Sequence, residues 1–139
     1  GDFAVLDAME HLNAHVRVVF GNIDDHHMRA ETAEILHWEI QGLRFCMTHI
    51  GGRPGRYAKG IRSLLNETRP DVFICGHSHL LKVQRDPSWD GLYVNPGAAG
   101  IHGFHQKRTL IKFSIAQGLV AEMHVVELGD RAKKAPNKE

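Results

Sequence analysis

The sequence predicts an α/β fold in which two sheets pack face to face with helices outside, and two observations predict it. In the first half, short apolar runs rich in β-branched residues alternate with segments of helical periodicity. In the second half only strands and Gly-containing turns are readable, which suits antiparallel hairpins. Buried strands alternating with helices, followed by hairpins, form layers around one core. At 139 residues the chain has the length of a single domain.

The elements follow in order. Ala4, Val5, Leu6, Ala8, Met9 and Leu12 recur at the spacing of an amphipathic helix. Val16, Val18, Val19 and Phe20 read as a buried strand ended by Gly21-Asn22, and the polar stretch Ile23 to Arg29 reads as a loop. Ile35 to Ile40 and Leu43 to Met47 flank Gln41-Gly42 as a hairpin whose second strand delivers Thr48-His49. After a loop through Gly51, Gly52, Pro54 and Gly55, a helix is expected from Tyr57 through Ile61, Leu64 and Leu65 up to Arg69-Pro70. Val72 to Cys75 reads as a strand running into Gly76-His77-Ser78-His79, and as the sheet neighbour of Val16 to Phe20. Leu80 to Val83 and Leu92 to Val94 follow as strands, then the turn Asn95-Pro96-Gly97. Thr109 to Ile115 and Leu119 to Val126 close the domain as a hairpin across Gln117-Gly118. The domain is expected over 1–128, with 129–139 as a polar tail.

Composition narrows the function. With 17 Lys plus Arg against 16 Asp plus Glu, the net charge of +1 excludes counterion-driven nucleic-acid binding as the main activity. No apolar run approaches the length of a membrane span. Cys46 and Cys75 sit in hydrophobic runs, which suits free buried thiols and a reducing, cytoplasmic setting. The unusual number is 11 histidines, which directs attention to metal and acid–base chemistry. His11, His15, His37 and His124 lie in ordinary helix or strand patterns and are read as structural or solvated.

The remaining polar residues of interest stand just after strand ends, where open α/β sheets bind ligands: Asn22, His49, His77 and His79. In Gly76-His77-Ser78-His79, the glycine permits a turn tight enough to aim both imidazoles at one centre. Asn and Asp oxygens with His nitrogens suit Mn²⁺, Fe or Zn²⁺ better than Ca²⁺ or thiolate-seeking metals. Arg53 and Arg56, flanking Pro54-Gly55, are placed to contact a phosphate.

Gly1-Asp2, Gly21-Asn22-Ile23-Asp24, Thr48-His49 and Gly76-His77-Ser78-His79 stand in the order of four of the five blocks that mark the calcineurin-like metallophosphoesterases. With the Asn95-Pro96-Gly97-Ala98 turn, the chain resembles the small single-domain phosphodiesterases of that superfamily over residues 1–128. The resemblance implies a two-sheet αββα sandwich and a phosphoester substrate, most of all a phosphodiester. It implies two divalent metal ions, manganese foremost and iron, zinc or nickel as alternatives. By position, Asp2 would bridge the metals, Asn22, His49 and His77 would complete one site, and His79 would bind the other ion. Asn22, His49 and Asp24 would take part in catalysis, and Arg53, Arg56, His102 and His105 would contact substrate.

Two departures qualify the likeness. The first block, D-x-H on an opening strand, has no counterpart, so the chain is expected to lack the first strand and to be a piece of a longer polypeptide, the alternative being a truncated relative with at most one good metal site. Ile23 stands where many members carry a leaving-group histidine, and Ile transfers no proton; His26, His27, His102 and His105 are the alternatives. The rival function is a non-catalytic interaction scaffold, because one branch of the same fold, the retromer scaffold subunit, resembles these phosphodiesterases. A homo-oligomer is also compatible with the sequence.

Overall fold

The computed structural model describes residues 3–131; Gly1, Asp2 and residues 132–139 lie outside the described part. The elements are α1 (Phe3–Glu10), α2 (His26–Glu31), β1 (Ile35–Ile40), β2 (Leu43–Thr48), β3 (Gly52–Arg53), β4 (Arg56–Tyr57), α3 (Ile61–Thr68), β5 (Val72–Ile74), β6 (Lys82–Asp86), β7 (Gly91–Asn95), β8 (Lys107–Ala116) and β9 (Leu119–Asp130).

Five strands form a mixed sheet in the order β1-β2-β5-β7-β6. Its centre is β5, parallel to β2 on one side and to β7 on the other, while β1 and β6 pair antiparallel at the edges. Side chains alternate across this sheet with a period of two. Leu43, Phe45, Val72 and Val94 face the β8–β9 ribbon and pack against its Ile111, Phe113, Ile115, Val120 and Met123. Cys46, Phe73, Cys75 and Tyr93 face the opposite way and are covered by Ile61 and Leu65 of α3. Leu65 and Phe73 are fully buried, and each such burial stabilises the fold by roughly 1.5–3 kcal/mol. One face of the sheet thus carries a second sheet and the other a helix, as the two-sheet expectation requires.

The hairpin turns are where the sequence put them. Gln41 and Gly42 have φ of 51° and 81°, and Gln117 and Gly118 have φ of 53° and 72°. Positive φ at both central residues is the turn that matches the twist of its flanking strands.

Several expectations are corrected. Val16 to Phe20 is not the neighbour of β5, and only an isolated parallel bridge joins Val19 to Ala33. Both edges of β5 are already bonded to β2 and β7, which leaves no ladder for another strand. The stretch Ile23 to Arg29 is not all loop, since α2 begins at His26. The Asp25 carboxylate caps it by accepting the Met28 N–H at 2.9 Å, and Met28 is buried. The helix expected from Tyr57 starts at Ile61, because Arg56 and Tyr57 pair with Arg53 and Gly52. The strand expected over Leu80 to Val83 runs instead from Lys82 to Asp86, and Leu80 and Leu81 are left exposed. Finally, β9 continues to Asp130, two residues into the segment read as tail.

Candidate functional site

The loops leaving β2 and β5 run side by side because these strands are parallel neighbours. The Gly76 N–H donates to the His49 carbonyl at 3.0 Å, which sets His49 beside the histidine turn. The loop before α2 brings Asn22 to the same place. Asn22 Oδ1 lies 3.0 Å from His49 Nε2 and 3.1 Å from His77 Nδ1, and those two nitrogens are 3.3 Å apart.

Each arm of this triangle is held by its own device. Gly21 donates its N–H to Asp24 Oδ2 at 2.6 Å, closing the turn that carries Asn22. Arg29 reaches back from α2 and donates to the carbonyls of Asp24 at 2.9 Å and Asn22 at 3.1 Å, with its guanidinium 4.8 Å from the centre of the Phe20 ring. The histidine turn is strained: His77 and His79 have φ of 66° and 58°, a region in which non-glycine residues are uncommon. Asn95, fully buried at the end of β7, stabilises that turn. Its Nδ2 donates to the Gly76 carbonyl at 3.1 Å and to Ser78 Oγ at 3.0 Å, and its Oδ1 accepts the Gly97 N–H at 3.1 Å.

His79 turns to a different partner. Its Nδ1 is 3.2 Å from His105 Nδ1, and His105 Nε2 donates to the Gly100 carbonyl at 2.9 Å. This pair packs on Gly103, where φ is 130° and a Cβ would overlap the His79 ring. Burial, followed by the neighbouring His105 and His77, lowers the pKa of His79. His49 is lowered by burial and then by His77, against the opposing pull of the Asp24 carboxylate. Both imidazoles are therefore biased toward the neutral form, which has a lone pair to offer.

Of the residues expected to form the site, Asn22, His49 and His77 meet directly. Asp24 shapes the loop beneath Asn22, and Asp2 lies outside the described residues. Arg53 and Arg56 are cross-strand partners in β3–β4 and line a cavity of about 730 Å³ that opens at His77 and Ser78. His105 joins His79, whereas His102 is exposed in the same loop. Asn22 and His49 also border a second cavity, of about 690 Å³, against α3. Sequence reasoning missed the parts of Arg29 and Asn95. For Asn95 a faint signal existed, an amide closing an apolar strand just before Pro-Gly; for Arg29 there was none.

Among the described residues no group of three or more His, Cys, Asp or Glu side chains converges as a metal site, so the third donor beside the two imidazoles is the Asn22 amide. Its donor spacing fits an ion. Bonds of about 2.1 Å put neighbouring donors roughly 3.0–3.4 Å apart, and all three separations in the triangle fall there. One oxygen and two neutral nitrogens suit a borderline divalent metal.

A family model described as the calcineurin-like phosphoesterase superfamily domain matches residues 1–118. A search of curated proteins finds no match. Among solved structures, an archaeal phosphodiesterase is 22% identical, with a TM-score of 0.65 over 91% of this chain and 77% of its own. Wild-type Vps29 from Entamoeba histolytica complexed with zinc is 18% identical, with a TM-score of 0.66 over 89% of this chain and 75% of its own. Vps29 from Chaetomium thermophilum is 15% identical, with a TM-score of 0.68 over 91% of this chain and 75% of its own. At these identities the solved structures establish the shared fold.

Proposed function

Because the chain belongs to the calcineurin-like phosphoesterase superfamily, we propose that it is a metal-dependent phosphodiesterase working at the Asn22–His49–His77 triangle. The observation that carries this reading is the convergence of one amide oxygen and two imidazole nitrogens within 3.0–3.3 Å of one another. These three residues would hold one divalent ion. His79, with Asp2 from the segment outside the described residues, would hold a second. Manganese is our first candidate, then iron, zinc or nickel. When bound, the metal ions supply an activated water and polarise the phosphoryl oxygens.

The chain's own residues do the rest. Asp24 and Arg29 fix the loop so that the Asn22 oxygen faces the two imidazoles. The low basicity of His49 keeps its ring neutral near pH 7, ready to bind a cation instead of repelling it. Arg53 and Arg56 offer guanidinium groups to phosphoryl oxygens from the cavity beside His77. Ile23 is 86% exposed and supplies no proton, so the leaving group departs unassisted unless His26, His27, His102 or His105 reaches it.

A second reading, an interaction scaffold, is favoured by one observation: Phe104, in the loop that carries His105, is wholly exposed, as an apolar contact awaiting a partner would be. One experiment separates the two. Purified protein loaded in turn with Mn²⁺, Fe²⁺, Zn²⁺ and Ni²⁺ is assayed on bis(4-nitrophenyl) phosphate and on phosphomonoesters. We expect metal-dependent turnover of the diester that His77→Ala abolishes. Absence of turnover with every metal, despite metal binding, would favour the scaffold.

A further inference from the structure

The cavity beside His77 has a character that a single phosphodiester charge does not account for. Three cationic residues, Arg53, Arg56 and Lys82, line it, and among the described residues that line it there is no carboxylate. None of the three forms an ion pair among the described residues. Arg53 and Arg56 sit directly opposite each other across β3–β4, where like charges repel. Away from these cations and from His77 and Ser78, the wall carries open apolar side chains. Ile50 is 43% exposed, Leu80 68% and Leu81 42%, a cost in water that burial against a ligand would remove. Tyr93 lies beneath this wall, 1% exposed, with its hydroxyl donating to the Gly52 carbonyl at 2.7 Å. At about 730 Å³ the cavity has the size of a small-molecule site.

We infer that this cavity receives the organic arm of the substrate, and that the arm is an apolar, ring-sized body bearing a second anionic group. The inference rests on the phosphodiesterase reading for the position of the scissile phosphate at His77. The phosphate would spend its one charge at the metal donors and one arginine. The remaining cations are left for a carboxylate, sulfonate or second phosphate on the arm, and Ile50, Leu80 and Leu81 for its apolar part. A compact polar diester such as a methyl ester uses neither feature.

The test is a set of diesters that share a 4-nitrophenyl leaving group and differ in the other arm: methyl, phenyl, 4-carboxyphenyl and choline. In kcat/KM we expect carboxyphenyl above phenyl, phenyl above methyl, and choline lowest, with the carboxyphenyl-to-phenyl ratio about tenfold or more. Lys82→Met should shrink that ratio, and Leu80→Ser should shrink the phenyl-to-methyl ratio. In parallel, naphthalene-1-sulfonate is titrated into the protein and followed by NMR, where shifts should centre on Ile50, Leu80 and Leu81 and weaken in Lys82→Met. Equal kcat/KM for all arms, or preference for choline, overturns this inference and leaves the phosphodiesterase reading standing. If no diester turns over, that reading fails, and the titration decides the cavity alone: shifts elsewhere, or equal binding of neutral naphthalene, overturn it.

Discussion

Replacing Asn95 by Leu removes an amide from a position with no solvent exposure and leaves a side chain of similar size in its place. Three hydrogen bonds vanish together. Ser78 is exposed and recovers water, and the Gly76 carbonyl keeps the Ser78 N–H at 2.8 Å, but the half-buried Gly97 N–H loses its partner. One orphaned N–H costs about 1–3 kcal/mol. For a domain of this size that is a fall in Tm of about 3–12 °C. The same change releases the histidine turn from its left-handed backbone, so zinc affinity should fall by about tenfold or more even at temperatures where the variant is fully folded. Asn95→Asp should be no milder, because a carboxylate oxygen would then face the Gly76 carbonyl. Thermal melts by circular dichroism and calorimetric zinc titration of the same samples read both effects. A variant that melts within about 1 °C of the parent and binds zinc equally well would refute the claim that Asn95 holds the turn.

Gly51→Ala would set a Cβ 2.6 Å from both Cβ and Sγ of Cys75 and 2.9 Å from the Phe73 ring, and should cost about 1–3 kcal/mol by overpacking, read in urea unfolding. Asp86 has its pKa lowered although burial alone would raise it, because the hydroxyl of Tyr57 and the N–H of Ser88 hydrogen-bond its carboxylate. Its contribution to stability is therefore complete above the unfolded carboxylate pKa and lost as pH falls through the lower native value; Asp86→Asn should flatten the acid limb of a Tm-against-pH profile, and an unchanged limb would contradict this. Under the proposed phosphodiesterase reading, in which Ile23 stands in place of a leaving-group histidine, turnover should depend steeply on leaving-group pKa, since general acid catalysis is worth about 10²–10⁴ in rate. Ile23→His should flatten that dependence, and no change would mean that position 23 does not face the leaving oxygen.

Much of this was legible in the sequence for local reasons. Gln41-Gly42 and Gln117-Gly118 announce their hairpins because the turn chemistry is contained in two residues. His49 and His77 fall together because each follows a buried strand and those strands are parallel neighbours. What was hidden depends on partners distant in the chain. Val16 to Phe20 has the composition of a central strand, but the apolar pattern carries no record that β2 and β7 already occupy both edges of β5. Asn95 acts on a turn 17 to 19 residues away, and a common Asn-Pro-Gly string gives no hint of it. The helix α2 escaped notice because its residues are polar and it rests on a single cap and one buried methionine.

Whether Asn22, His49 and His77 bind a metal ion together is read by zinc titration followed on the histidine ring nitrogens. Zinc is diamagnetic, so two-bond proton–nitrogen NMR spectra report the state of each imidazole nitrogen as the ion is added. His49 Nε2 and His77 Nδ1 should move together with saturable zinc binding, and Asn22→Ala should weaken the binding. Zinc that binds while both nitrogens keep their resonances, or that binds Asn22→Ala as tightly as the parent, would contradict a shared metal site.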